Sequence, residues 1–245
     1  MSSPQNSGQV YLVGAGPGDP GLITVRGTQC LAAADLVLYD YLVNPLLLDY
    51  APVSAERVCL GQPHVGRTVP QAEIHARMIE AARQGKTVVR LKNGDPHLFG
   101  RGAEECAALT AAGIRYEVVP GVTAALAAAG CTGIPITHRD HASAVALVTG
   151  HRRGDDPAPA LDYGALASFP GTLVFYMAVG TAPHWSQSLL EGGKRPDTPV
   201  AIVRRTSWPD QHVTRTTLAH VAQVIEREHI RPPAVIIIGE VAGVT

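Results

Sequence analysis

Arg90-Leu91-Lys92-Asn93-Gly94-Asp95-Pro96-His97-Leu98-Phe99-Gly100-Arg101-Gly102 gathers a carboxylate, an imidazole, three fixed cations and three glycines in one short run. Gly94 lets a backbone approach a ligand closely, Asp95 offers a carboxylate, and Pro96 removes a donor and stiffens the turn. The β-branched stretch Thr87-Val88-Val89-Arg90-Leu91 before it, bounded by Gly85 and Asn93-Gly94, reads as a short strand. Glu104 and Glu105 stand where the first turn of a following helix favours acidic side chains. The loop therefore falls at a strand's carboxyl end, the edge at which open α/β sheets bind ligands. The same residue types also make ordinary turns, so this loop alone leaves both readings open.

Other residues can join it. Val10-Tyr11-Leu12-Val13 runs into Gly14-Ala15-Gly16-Pro17-Gly18-Asp19-Pro20-Gly21, with a helix expected from Thr24 to Ala34. This is a poor dinucleotide fingerprint: Asp19 stands where glycine is wanted, and two prolines remove donors a pyrophosphate would use. Such a loop suits a neutral or cationic ligand. Asp40 follows the apolar Leu36-Val37-Leu38-Tyr39 and also sits at a strand end, although capping is the commoner role for such an Asp. His138 and His141, with His151 beyond, lack a carboxylate or thiolate at ligand spacing, so no metal is assigned. No Gly-x-Ser-x-Gly elbow supports a hydrolase. Lys92, Arg101, Arg139, Arg152 and Arg153, with His97 and His138, gather near loop ends and suggest a multiply anionic small substrate.

The elements that position these residues alternate. Strands are expected near Val10 to Val13, Leu36 to Tyr39, Arg57 to Leu60, Thr87 to Leu91 and Arg115 to Val119. Helices are expected after Thr24, after Asn44-Pro45, from Pro70 to Gly85 and through Ala112. That alternation predicts a parallel α/β domain over residues 1–119. The irregular segment from Gly61 to Val69 holds His64 and Arg67. Val122 to Ala129 reads as a small-residue helix, and Pro135 to Asp140 as an extended connection, placing a hinge and linking helix at 120–140. Strands at Ser143 to Thr149, Thr172 to Met177, Val200 to Arg204, His212 to Thr216 and Ala234 to Ile238, with a helix from Leu218 to Glu228, give a second α/β domain over 141–245. No internal repeat is found.

Charged residues are 17% of the 245 and hydrophobic ones 46%, which implies a large buried fraction or an oligomer interface. The net charge of −1 supplies no attraction to nucleic acid or to an acidic membrane. Cys30, Cys59, Cys106 and Cys131 are scattered as in a reduced, cytoplasmic protein, and Met1 to Gly8 lacks the pattern of a signal peptide. Val118 to Thr137 is uncharged for 20 residues, but its prolines, glycines and alanines fit a buried, tightly packed segment better than a membrane helix.

Taken together, Gly14 to Gly21, Tyr39-Asp40-Tyr41-Leu42-Val43, Val69-Pro70-Gln71, Arg90 to Gly102, Pro120-Gly121-Val122-Thr123-Ala124 and Gly133 to Asp140 resemble, in order and spacing, the tetrapyrrole methylase family in its uroporphyrinogen III C-methyltransferase branch. The resemblance implies two unlike α/β domains, an N-terminal parallel sheet with helices and a C-terminal mixed sheet. It further implies S-adenosylmethionine in the interdomain cleft, a homodimer, and no nucleic-acid or membrane partner. By position it implies that Pro17, Asn93, Gly94, Asp95, Leu98, Thr123, Ala124, Met177, Thr206 and Ala234 line the cofactor, with Leu98 and Met177 around adenine. Asp40 is then the catalytic candidate, and Leu42, Phe99 and Arg139 face the tetrapyrrole. The implied reaction methylates uroporphyrinogen III at C-2 and C-7, giving precorrin-2 and S-adenosylhomocysteine.

The chain departs from the family's pattern at Asn93, where glycine is frequent, at Gln62-Pro63, where Lys-Arg is common, and at Trp208, where a smaller run is usual. Methylation of a later precorrin is the neighbouring alternative, and a nonenzymatic tetrapyrrole carrier is the alternative of another class. The short tail before the first strand leads to the expectation that the dehydrogenase and chelatase module of fused sirohaem enzymes is missing and that product stops at precorrin-2.

Overall fold

The computed structural model describes residues 8–61, 69–150 and 161–244. The chain divides into two compact units, one ending at Thr123 and one beginning at Ala124. The segments holding Gln62, Pro63, His64 and Arg67, and His151, Arg152 and Arg153, lie outside the described residues.

In the first unit β1 (Gln9–Gly14), α1 (Val25–Ala32), β2 (Leu36–Asp40), β3 (Glu56–Leu60), α2 (Gln71–Arg83), β4 (Thr87–Lys92), α3 (Gly102–Ala111) and β5 (Arg115–Val119) alternate along the chain. The five strands form one sheet in the order β3-β2-β4-β1-β5, every pair parallel. Parallel strands are covered on both faces, and the side-chain period of two sends alternate residues to opposite layers. Val13, Val37, Val89 and Leu91 pack with Cys30 and Leu31 of α1. Val10, Leu12, Leu38 and Val88 pack with Met78 of α2 and Leu109 of α3. Thr24 caps α1 through the Gly27 amide, and Asn44 caps a 3-10 helix over Pro45–Tyr50 where the sequence predicts a helix.

The second unit contains α4 (Ala124–Thr132), β6 (Val145–Thr149), α5 (Tyr163–Ser168), β7 (Thr172–Tyr176), α6 (Ala182–Glu191), β8 (Pro199–Arg204), β9 (His212–Thr217), α7 (Val221–Arg227) and β10 (Ala234–Ile238). Its sheet runs β6-β7-β10-β8-β9 and is mixed, with β6 and β7 parallel and the other pairs antiparallel. One face holds Phe175 stacked on the buried Trp185 at 5.0 Å between centroids, with the Trp185 indole N–H donating to the Ala178 carbonyl. The other face buries Val174, Val203, Val235 and Ile237 against the alanines of α4.

Several boundaries differ from the sequence reading. The small-residue helix begins at Ala124 and runs to Thr132, because Pro120-Gly121-Val122-Thr123 stays extended to meet the loops after β1 and β4. The C-terminal helix starts at Val221, since Leu218 to His220 form a turn whose Leu218 amide donates to the Thr198 carbonyl. Two helices, α5 and α6, have no counterpart in the sequence reading. Among the described residues no helix is long and apolar enough to cross a membrane.

Arg26 forks onto Glu117 across α1 and β5 at 2.8 and 2.6 Å. The hydrogen bonds from Arg26 hold the Glu117 carboxyl below its ordinary value near 4.5. A carboxylate held low in the fold contributes stability above its unfolded value and loses it as pH falls through the folded one. Glu117→Gln should therefore lower the melting temperature slightly at neutral pH, as for an exposed pair, with the difference vanishing in acid. Thermal melts of both proteins at neutral pH and well below pH 4.5 check this.

Candidate active site

Parallel pairing brings the carboxyl ends of β1, β2, β4 and β5 to one edge of the first unit, Gly14 opposite Lys92 and Val13 opposite both Leu91 and Val119. The chain leaves the neighbouring strands β1 and β4 in opposite directions, toward β2 and β5, which makes their shared edge the switch point where such sheets bind ligands. Three loops are locked together there. Gly16 and Gly94 exchange backbone hydrogen bonds at 3.2 and 2.8 Å, and the Ala15 amide donates to the Lys92 carbonyl at 2.7 Å. Gly14, Gly94 and Gly121 touch backbone to backbone: a Cβ on Gly121 would stand 2.2 Å from the Gly94 oxygen and 2.7 Å from the Gly14 Cα. Asp95 completes the lock, Oδ1 accepting from the His97 amide at 2.9 Å and Oδ2 from the Gly121 amide at 3.0 Å. Asn44 adds a buried bond from its side-chain amide to the Gly18 carbonyl at 2.8 Å.

Gly94 itself is left-handed at φ 67°, and the nearest atom to a Cβ placed there is the Thr123 Cα at 4.0 Å. The glycine thus opens a cradle that any side chain would fill, bordered by Thr123. Pro17 is buried in the first loop, Asn93 and Leu98 are half-buried, and Phe99 is exposed at φ 55°. Glycine-loop backbone offers polar atoms, and the half-buried Leu98 an apolar surface, to a small ligand at this edge.

Asp40 ends β2 with its carboxylate about one-third exposed. Oδ1 accepts from Arg90 Nη2 at 2.5 Å and Oδ2 from the Asn93 amide at 3.3 Å. Arg90 is buried beneath it, donating through Nε to Glu105 Oε1 at 3.0 Å. Glu105 is fully buried, and its Oε1 also accepts from Lys92 Nζ at 3.0 Å and from the Gln71 side chain at 3.2 Å. The alternation that puts Val88 in the α2–α3 layer puts Arg90 and Lys92 there too. Burial chiefly, then the nearby Arg90 charge, pushes the Lys92 ammonium below its ordinary value despite Glu105. For Arg90 burial is also the largest influence and opposes the charge, yet Asp40 and Glu105 outweigh it and hold the guanidinium above its ordinary value. This corrects the reading of Lys92 as part of a basic cluster for an anionic substrate: it is 2% exposed and committed to Glu105. Arg101 is likewise engaged, forking onto Glu104 at 2.8 and 2.6 Å.

In the second unit antiparallel pairing brings the end of β7, the end of β8 and the start of β10 to one sheet edge. Tyr176 lies opposite Val235, and Arg204 opposite Ala234. Met177, Thr206 and Ala234 therefore share that edge. Met177 is half-exposed at φ 52°, and the buried Thr206 is flanked by Arg205 at φ 48° and Ser207 at φ 63°. Left-handed non-glycine residues are uncommon and collect where function requires them. Four of the six in the described chain fall at Phe99, Met177 and the two neighbours of Thr206. Tyr176, given no site role by the sequence, accepts the Ala125 amide at 2.9 Å and so ties the start of α4, with Ala124, to the strand that precedes Met177. Arg139 is exposed at the tip of a turn closed by His138 and Ala142, and Leu42 is half-buried after β2. Among the described residues no cluster of three or more His, Cys, Asp or Glu is placed to hold a metal.

The glycine junction has a measurable consequence. Gly121→Ala should cost about 1–3 kcal/mol by overpacking three backbones, read by chemical denaturation.

A parallel sheet with a glycine-locked carboxyl edge, followed by a mixed α/β unit, defines a class, and the family model of Tetrapyrrole (Corrin/Porphyrin) Methylases matches residues 9–222. The chain belongs to that family. Over 236 residues it is 43% identical to the S-adenosyl-L-methionine-dependent uroporphyrinogen III methyltransferase of Methanosarcina barkeri (strain Fusaro / DSM 804), covering 96% of this chain and 92% of that one. The solved structure of uroporphyrin-III C-methyl transferase from Thermus thermophilus with S-adenyl homocysteine superposes with a TM-score of 0.83 at 42% identity, covering 97% of this chain and 100% of the other. A cobalt precorrin-4 methyltransferase, a cobalamin biosynthetic enzyme, superposes with a TM-score of 0.86 at 31% identity, covering 99% of each chain. The chain spans about half the length of other curated relatives, named siroheme synthase.

Proposed function

We propose that this protein transfers methyl groups from S-adenosylmethionine to C-2 and C-7 of uroporphyrinogen III, forming precorrin-2 and S-adenosylhomocysteine. The observation that carries the reading is the open glycine cradle at Gly94 beside a carboxylate, Asp40, fixed by a buried guanidinium. Membership of the family and the 43% identity to a uroporphyrinogen III methyltransferase narrow the acceptor.

Pro17, Asn93, Gly94, Asp95, Leu98, Thr123, Ala124, Met177, Thr206 and Ala234 are the residues we assign to the cofactor. Asp95, accepting the His97 and Gly121 amides, shapes the loop and offers backbone atoms. The bound sulfonium supplies an electrophilic methyl group. A pyrrole carbon that accepts it leaves the ring one positive charge richer until a proton is lost. Asp40, held between Arg90 and the Asn93 amide, is a preorganised anion suited to stabilise that charge, and it offers an oxygen where the proton can go. Leu42 and Phe99 supply apolar contact to the macrocycle, and Arg139 a forked donor pair for a substrate carboxylate. A homodimer and a cytoplasmic setting belong to the same proposal, the latter supported by four free cysteines.

Incubation with uroporphyrinogen III and methyl-labelled S-adenosylmethionine without oxygen should move label into the tetrapyrrole. Cofactor binding without transfer would redirect the acceptor to a later corrin. Binding of porphyrinogen with no affinity for S-adenosylhomocysteine would instead make the protein a carrier.

A further inference from the structure

Among the described residues Glu105 is the most deeply buried charged residue of the first unit, and nothing in the proposed reaction uses it directly. One of its oxygens, Oε1, gathers three donors: Arg90 Nε, Lys92 Nζ and the Gln71 side-chain amide. The other oxygen, Oε2, is buried with no hydrogen-bond partner. Arg90 spends its remaining donors on the Leu38 and Leu91 carbonyls and on Asp40 Oδ1. The chain Lys92–Glu105–Arg90–Asp40 therefore carries two positive and two negative charges, and only its last member reaches solvent appreciably. A surface ion pair at Asp40 would need one arginine. A carboxylate sunk beneath that arginine is costly to bury; besides neutralising Lys92, it sets where the guanidinium points.

We propose that Glu105 is a positioning residue for methyl transfer: it clamps the Arg90 fork from below, and Arg90 in turn fixes the direction of the Asp40 carboxylate. This rests on the uroporphyrinogen III reading above. Without Glu105 the guanidinium keeps its bond to Asp40 but loses the partner on Nε that sets its plane, and the carboxylate follows it. Small displacements of a group aligned with a reacting atom cost large rate factors even when the fold is intact.

A double-mutant cycle tests this, using Asp40→Asn, Glu105→Gln and the pair, with turnover measured at saturating S-adenosylmethionine and uroporphyrinogen III. Glu105→Gln preserves volume but replaces the charged acceptor on Arg90 Nε with a neutral amide oxygen for which Lys92 Nζ and the Gln71 side chain compete. It should lower kcat roughly tenfold or more while leaving S-adenosylhomocysteine affinity within about twofold. In the Asp40→Asn background the same change should have almost no further effect, because residues acting through one another are not additive. Should Glu105→Gln fail to fold, Lys92→Met with Glu105→Gln keeps the buried charge balanced and enters the cycle in its place. Wild-type kcat in the Glu105 variant, a loss confined to cofactor affinity, or rate losses that multiply fully with those of Asp40→Asn would each overturn the positioning role. A wild-type chain that binds S-adenosylhomocysteine yet methylates no uroporphyrinogen III would overturn the proposed function, and this inference with it. Independent effects in an active enzyme would overturn the inference alone.

Discussion

Glu105→Leu should destabilise the first unit by about 3–5 kcal/mol, the cost of removing one partner from a buried ionic cluster. The substitution leaves two cations in the α2–α3 layer. Arg90 retains Asp40 and two carbonyls, but among the described residues Glu105 Oε1 is the acceptor within reach of Lys92 Nζ. Lys92 is 2% exposed and cannot turn to water without opening the layer. Against a typical net stability of roughly 5–15 kcal/mol, a loss of this size brings unfolding near ambient conditions. Urea unfolding followed by circular dichroism measures it. Adding Lys92→Met should recover part of the loss by removing the ammonium, whereas a Glu105→Leu protein as stable as wild type would contradict the account of the cluster.

Asp40→Asn should act on turnover and spare the fold. Its carboxylate is partly exposed, and Arg90 keeps Glu105 when the charge at position 40 disappears. The amide preserves shape and can still accept the Asn93 N–H, but it no longer presents an anion to a ring that becomes positive on methylation. Loss of one preorganised electrostatic partner of this kind lowers turnover by roughly a hundredfold or more. The expected result is that loss, with S-adenosylhomocysteine affinity within about twofold of wild type. Unchanged turnover and an unaltered product would remove Asp40 from the mechanism.

The five strands of the first unit were legible in the sequence because parallel strands buried on both faces read as short β-branched runs, and the organising loop because glycine, proline and aspartate punctuate it. The glycine junction was not legible as a unit. Gly14, Gly94 and Gly121 come from strands that neighbour in space but not in sequence, and only the order β4-β1-β5 brings them together. The buried cluster was hidden for a different reason. Glu105 reads as an acidic residue suited to a helix start and Lys92 as a loop cation; both readings assume solvent, which the α2–α3 layer excludes. Helix α5 is short and α6 begins Ala-Pro-His-Trp-Ser, so neither carries a strong helical pattern; α6 is fixed instead by Trp185 packing on Phe175. Tyr176 reads as one more apolar strand residue, and only its hydroxyl's bond to the start of α4 shows what it holds.

The most direct measurement of the central claim is the number and position of methyl groups placed on uroporphyrinogen III. With carbon-13 methyl-labelled S-adenosylmethionine in excess and oxygen excluded, mass after oxidation should show two added methyls, and carbon-13 resonances should place them at C-2 and C-7. A product that carries no labelled methyl, or carries it at any other ring carbon, would contradict the account.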